Sequence, residues 1–196
     1  FATIGPLDVA AIFAALTAHS TRQHRRTMAL RGTLIATSIL VLFALAGEMV
    51  LGSLGISLAA LRTAGGILLL LIAIEMVFAR TTGGTSTTDE EEQEALSKQD
   101  ISVFPIATPL IAGPGAMGAA ILLMADAEGD LRHQLVVLGS LLAILLFTLV
   151  GMLLAGRLQQ VLGIIGMHVI TRIMGVLLAA LAVQFIFDGI AQSGII

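Results

Sequence analysis

The stretch IATPLIAGPGAMGAA, running from Ile106 to Ala120, sets two prolines and three glycines in an apolar background. Its hydrophobicity suits a membrane helix, yet Gly113-Pro114-Gly115 should break one. Proline lacks an N–H and clashes with the preceding turn, and glycine leaves the backbone loose. Facing lipid, the freed carbonyls would have no partner. Such a break persists only where protein buries it or where it lines a cavity.

The membrane setting follows from composition. Of 196 residues, 57% are hydrophobic and only 12% charged, about half the charged share of a soluble domain, and the mean hydropathy is +1.02. A bilayer crossing needs ~20 apolar residues, and long apolar runs recur at about 1–18, 32–54, 57–79, 101–125, 133–155 and 166–190. Six spans are predicted. The chain opens at Phe1 already inside an apolar run, which implies residues upstream. That run lacks a basic n-region and is followed by Arg22, Arg25 and Arg26, so it does not read as a signal peptide. There is no cysteine, and the net charge of −3 gives no basic footprint for nucleic acid.

Lysine and arginine set the predicted orientation. Arg22, Arg25, Arg26 and Arg31 flank the first loop, Arg80 and Lys98 bound the third, and Arg157 lies in the fifth, whereas the second and fourth loops and the tail offer only Arg132. Positive charge marks the cytoplasmic side, so both termini are expected outside. The segment RTTGGTSTTDEEEQEALSKQD, residues 80–100, reads as a solvated acidic linker with a short helix starting at Thr88 or Asp89. It divides the chain into residues 1–79, the linker 80–100, and residues 101–196.

The two halves resemble each other. LFALAG (Leu42–Gly47) matches LFTLVG (Leu146–Gly151), and LGSLGISLAALRTAGGILLLL (Leu51–Leu71) matches LGIIGMHVITRIMGVLLAAL (Leu162–Leu181). IGPLD (Ile4–Asp8) corresponds to AGPGA (Ala112–Ala116). Three matches in the same order indicate a repeat of three spans, and an odd number of spans makes the second copy inverted. The expected fold is therefore an all-α membrane protein of two inverted three-helix repeats with broken first and fourth helices. All four prolines, Pro6, Pro105, Pro109 and Pro114, fall in those two spans. Half-helices starting at Pro6 and Pro114 would present unpaired N–H groups and positive dipole ends near the midplane. An anion such as a carboxylate suits them. A kink used only for packing is the plain alternative for one break; its duplication favours a site. Gly5, Pro6, Asp8, Gly113, Pro114, Gly115, Ala116 and Met117 are the candidate substrate-binding residues.

At DISVFPIATPLIAGPGAM (Asp100–Met117), GISLAALRTAGGILLLLIAIEM (Gly55–Met76) and ITRIMGVLLAALAVQFIFDGI (Ile170–Ile190) the chain resembles the MarC family of integral membrane proteins. That family is also described as a small neutral amino acid transporter class. The resemblance covers nearly everything outside the linker, and Pro-Leu-x-Ala-Gly-Pro-Gly-Ala is its most specific piece. It implies six spans with outside termini in the inner membrane of a prokaryote. Where the family reads Asp-Pro-x-Gly-Asn at the first break, this chain has Gly5-Pro6-Leu7-Asp8-Val9.

Charges within spans are functional candidates. Asp8 is expected at the third position of its half-helix, complementing the dipole or holding a substrate ammonium or a proton. Glu48 and Arg62 flank the outer turn at similar depth, which predicts a structural ion pair. With Glu75 and Arg172, the repeat partner of Arg62, they form a candidate charge network. Gln184 and Asp188 fit the outer interface. His19, His24, His133 and His168 lack metal spacing, so no metal site is expected.

The function these features predict is a secondary transporter of small neutral amino acids, with export among its directions and a proton or sodium as coupling ion. A passive channel or pore for small polar solutes, or a drug or metabolite efflux protein, remains an alternative. An enzyme is not expected: there is no Gly-x-Ser-x-Gly and no His-Glu-x-x-His. No nucleotide-binding loop or cofactor motif appears.

Overall fold

The computed structural model describes residues 1–17, 20–78, 100–127 and 129–194, excluding the side chains of residues 15, 156–165, 167 and 168. The linker expected over residues 80–100 lies outside the described residues apart from Asp100, as does His19. Among the described residues six elements follow one another: α1 (Pro6–Leu16), α2 (Arg22–Ser53), α3 (Leu58–Phe78), α4 (Ser102–Ile111), α5 (Pro114–Ala125) and α6 (Leu131–Gln192). Among the described residues there is no strand.

Local chemistry sets the ends. Thr21 caps α2, its hydroxyl accepting from the His24 amide at 3.3 Å, and Asp130 caps α6 by accepting from the Arg132 amide at 2.8 Å. Between α2 and α3 the chain turns through Gly55 at φ +71. There the Ile56 amide reaches back to the Leu51 carbonyl at 2.9 Å, the wrap that closes a helix over a left-handed residue. Ser57 then caps α3 through the Ala60 amide at 3.1 Å.

α6 is helical along 62 residues, which would be ~93 Å if straight and far exceeds a bilayer. Two interior points twenty residues apart meet the same short helix, however. Gly151 lies beside Ala10 and the Pro6 carbonyl, while the Thr171 hydroxyl donates to Asp8. A straight helix would hold Gly151 and Thr171 ~30 Å apart. The element therefore turns back between its two apolar stretches, Leu131–Ala155 and Val169–Gln192.

Among the described residues, four helices are long and apolar enough to cross a membrane, and a fifth crossing results if α4 and α5, bent by 56° at Gly113, count as one. The first apolar run supplies only the 11 residues of α1, too few to span. Six spans were expected, with the first and fourth broken; the first apolar run gives the short helix α1 and the fourth the bent pair α4–α5.

Burial separates the broken span from the rest. The most apolar windows of the four long helices are only 17–33% buried, as suits helices coated by lipid. In α4, by contrast, Ser102, Pro105, Ile106, Ala107, Leu110 and Ile111 are all buried. The residues before its prolines, Phe104 and Thr108, are extended, because the proline ring disfavours helix one residue earlier. Wide turns take over the bonding: Ile106 N–H reaches the Ile101 carbonyl at 3.3 Å, and Ala112 N–H reaches Ala107 at 2.8 Å.

Small residues on α2 let this irregular chain approach. Gly32, Ala36, Ala44 and Gly47 lie in its buried stripe. A Cβ on Gly32 would fall 2.7 Å from Ile106 Cγ2 and 3.0 Å from the Ser102 carbonyl. Lipid gives no hydrophobic drive between helices, so such close contact is what holds them. α3 and the second half of α6 lock antiparallel by the same means: a Cβ on Gly66 would meet the Ala182 carbonyl at 2.7 Å, and one on Gly175 would meet Met76 at 2.9 Å.

Candidate functional site

α1 begins where it does because Gly5 takes φ +58, a conformation that favours glycine, and Pro6 follows at the first helical position. A Cβ on Gly5 would also stand 3.1 Å from Asp8 Oδ2. The first turn has no upstream carbonyls for its amides, so its positive end is exposed to whatever lies before it. Asp8 sits in that turn, as expected. Its carboxylate accepts a hydrogen bond from the Thr171 hydroxyl, which ties α1 to the second half of α6.

A shallow cleft opens beside this turn, lined by Ala2, Thr3, Gly5, Asp8, Ile12 and Ile72 with Met76 and Leu110. A second, smaller hollow shares Ala2, Gly5, Asp8 and Met76 and reaches Thr171 and Met174. The walls are largely apolar, and among the described residues Asp8 is the only acidic or basic side chain lining either hollow. Thr3 and Thr171 add hydroxyls. This is the pattern of a ligand site: an apolar concavity with few polar groups.

The second break is built as expected but faces elsewhere. Gly113 is the N-cap of α5 and Pro114 its first residue, where a missing N–H costs nothing. Met117 N–H already bonds the Gly113 carbonyl at 3.0 Å, so of the Gly115, Ala116 and Met117 amides only the first two remain for a ligand. Gly115 itself packs into α3. A Cβ there would lie 2.9 Å from Leu69 Cδ2 and 3.1 Å from Ile72 Cδ1, so its bareness serves helix packing. From the fourth span it is Leu110, not residues 113–117, that lines the cleft. Ile72 touches both places and stands between the two breaks.

The expected pair of Glu48 and Arg62 is corrected. Arg62 is 8% exposed and its guanidinium bonds Asp126, at the far end of α5. Glu48 is exposed. Arg62 opens α3 beside the loop that carries Asp126, and that acid lies at matching depth on a neighbouring helix. Glu75 is half-buried on α3 and Arg172 is exposed on α6. Gln184 Nε2 donates to Asp188 Oδ1 at 2.7 Å, and His133 Nδ1 lies 3.3 Å from Asp130. Among the described residues no cluster of side chains could hold a metal.

At the opposite end from Asp126, just ahead of the fourth span, Asp100 organises the entry to α4. It accepts from the Ser102 amide at 3.0 Å and the Ser102 hydroxyl at 2.5 Å, and Arg31 of α2 lies 3.3 Å away. The Ser102 hydrogen bonds, with Arg31 adding to them, hold the Asp100 carboxyl below its ordinary value.

Sequence reasoning missed Thr171, Asp126, Met76 and Leu110. Thr171 adjoins Arg172 in the matched repeat, and Asp126 is one of three acids in the fourth loop; both were legible as polar residues near span ends, but their partners were not.

The family model for MarC family integral membrane proteins matches residues 1–193. A UPF0056 membrane protein of Methanocaldococcus jannaschii is 37% identical over 97% of this chain and 91% of its own length. YhcE of Escherichia coli, also a UPF0056 membrane protein, is 36% identical over 97% of the chain and 87% of its length. YvbG of Bacillus subtilis, of the same description, is 33% identical over 97% and 90%. No solved structure matches.

Proposed function

The chain belongs to the MarC family of integral membrane proteins, and from that premise we propose that it is a secondary transporter of small neutral amino acids in a prokaryotic plasma membrane. The observation that carries the reading is the cleft at the head of α1, where one carboxylate, Asp8, stands in otherwise apolar walls. Asp8 takes the substrate ammonium in exchange for Thr171 or alongside it. The substrate carboxylate turns toward the first-turn amides of α5, Gly115 and Ala116, which it reaches when the Ile72 side chain swings aside. Ile12, Met76 and Leu110 leave room for a small side chain only. No chemistry on the substrate is part of the proposal, and the coupling ion is a proton or sodium.

The packing supports two inverted repeats as the frame. Gly47 of α2 packs on α5, and its counterpart Gly151 packs on α1. Gly66 of α3 meets Ala182 and Ile186 of α6, while Gly175 of α6 meets Met76 and Val77 of α3. The helix pairings recur between the halves, α2 on α5 as the first part of α6 on α1, although the glycines differ in register: the sequence counterpart of Gly175 is Gly65, which meets Leu122 of α5. The Arg31–Asp100 end, with its arginines, is assigned to the cytoplasm, and the Asp126 end to the outside.

A melting screen tests the binding. The protein has neither tryptophan nor tyrosine, so helix content by circular dichroism is the readout. Glycine, alanine and serine should raise the midpoint, since ligand at a hundredfold its Kd stabilises by ~2.7 kcal/mol. Phenylalanine and ethylamine should not. Stabilisation by ethylamine as strong as by alanine would remove the carboxylate from the proposal, and no response to any amino acid would remove the substrate class.

A further inference from the structure

We infer that the seam between α3 and α5 is a gated access path from the Asp126 end to the cleft, latched by the Arg62–Asp126 ion pair. Its purpose rests on the transporter reading; its geometry does not.

On α5, Gly115, Gly118, Leu122 and Asp126 recur at helical spacing and so share a face. Asp126 at the mouth holds Arg62. One step inward, Leu122 stands 3.7 Å from where a Gly65 Cβ would lie. Next comes Gly118, which is buried, yet a Cβ added there would meet nothing within 4 Å. At the foot, Leu69 and Ile72 close over Gly115, and Ile72 also lines the cleft. The seam therefore has an ion pair at its mouth, unfilled space in the middle, and the wall of the cleft at its base.

The neighbouring interface is built to the opposite pattern. Between α3 and α6, a Cβ on Gly66 or on Gly189 would run into backbone atoms of the other helix, the Ile186 amide at 2.9 Å or the Thr63 amide at 2.7 Å. Those helices interlock and move together. The α3–α5 seam has no such interlock at Gly118. Its latch also has one partner that water reaches: the Asp126 side chain is 55% exposed and that of Arg62 only 10%. Asp126 can be rehydrated as the seam opens, whereas Arg62 stays with α3 and gains water only in the open state.

The chain has no cysteine, so one introduced at Gly118 reports on the seam alone. In purified protein in lipid vesicles, Gly118→Cys should react slowly with a membrane-impermeant thiol reagent applied at the Asp126 face. Adding Asp126→Asn should speed labelling about tenfold, equivalent to ~1.4 kcal/mol removed from closure. Arg62→Gln, if it folds, should do the same. Equal rates with and without the latch, or acceleration only from the opposite face, would overturn the inference. This readout needs no transport, so absence of transport in the wild type would defeat the transporter reading and leave the seam standing on the labelling result.

Discussion

Gly66→Ala adds a single methyl group at a close crossing of α3 with the second half of α6. The new Cβ would sit 2.7 Å from the Ala182 carbonyl oxygen, 2.7 Å from Ile186 Cγ1 and 2.9 Å from the Ile186 amide nitrogen. Two of these three atoms are backbone, so no rotamer change relieves the clash, and α3 must retreat from α6. Overpacking of this kind costs ~1–3 kcal/mol. Alanine returns up to ~1 kcal/mol of helix propensity in the same substitution. The net expectation is a loss of about 1–2 kcal/mol. Gly118→Ala is the matched control: the same change, on a helix, where the added Cβ meets nothing within 4 Å. It should be neutral or stabilising. Melting followed by circular dichroism in one detergent compares the two directly. A Gly66→Ala protein that melts at or above wild type, or a Gly118→Ala protein that loses as much, would refute the account of how α3 and α6 are held together.

The corrected ion pair makes a second prediction: Asp126→Asn should lower the melting midpoint, whereas Glu48→Gln should leave it near wild type. A third concerns pH. The folded Asp100 carboxyl is held below its ordinary value near 3.8, so its stabilisation is complete above that value and is lost as pH falls through the lower folded one. Asp100→Asn should therefore flatten the acid limb of the melting curve and leave neutral stability less changed. Orientation is checked with cysteines at the exposed positions Gln23 and Leu131. In intact cells an impermeant thiol reagent should modify the second and spare the first, and the reverse pattern would invert the assignment.

Much of the frame was legible in the sequence because membrane helices announce themselves through long apolar runs and breakers. The half-helix starting at Pro6 and the Gly113–Pro114 start of α5 follow from proline's missing N–H alone. The course of α4 was less legible: its two extended residues come from Phe104 and Thr108 preceding proline, a constraint one residue wide. The two spans within α6 were separable by composition, although the helical bonding runs on between them. Side-chain partnerships were the hardest to read. Glu48 and Arg62 are close in sequence and similar in depth, yet helix azimuth decides which acid Arg62 meets, and no single periodicity supplies the azimuth between two helices. Gly115 illustrates the same limit. Bare backbone beside a break suits a ligand or a neighbouring helix equally well, and Leu69 and Ile72 occupy the space.

The central claim is that a small zwitterion crosses through the cleft at Asp8, and counterflow in reconstituted vesicles measures it most directly. Vesicles loaded with unlabelled alanine should take up labelled alanine transiently above its external level, with saturation, and Asp8→Asn should abolish the overshoot while keeping the wild-type circular dichroism spectrum. Entry that rises linearly with concentration and shows no counterflow would mark a pore. Undiminished counterflow in Asp8→Asn would contradict the site.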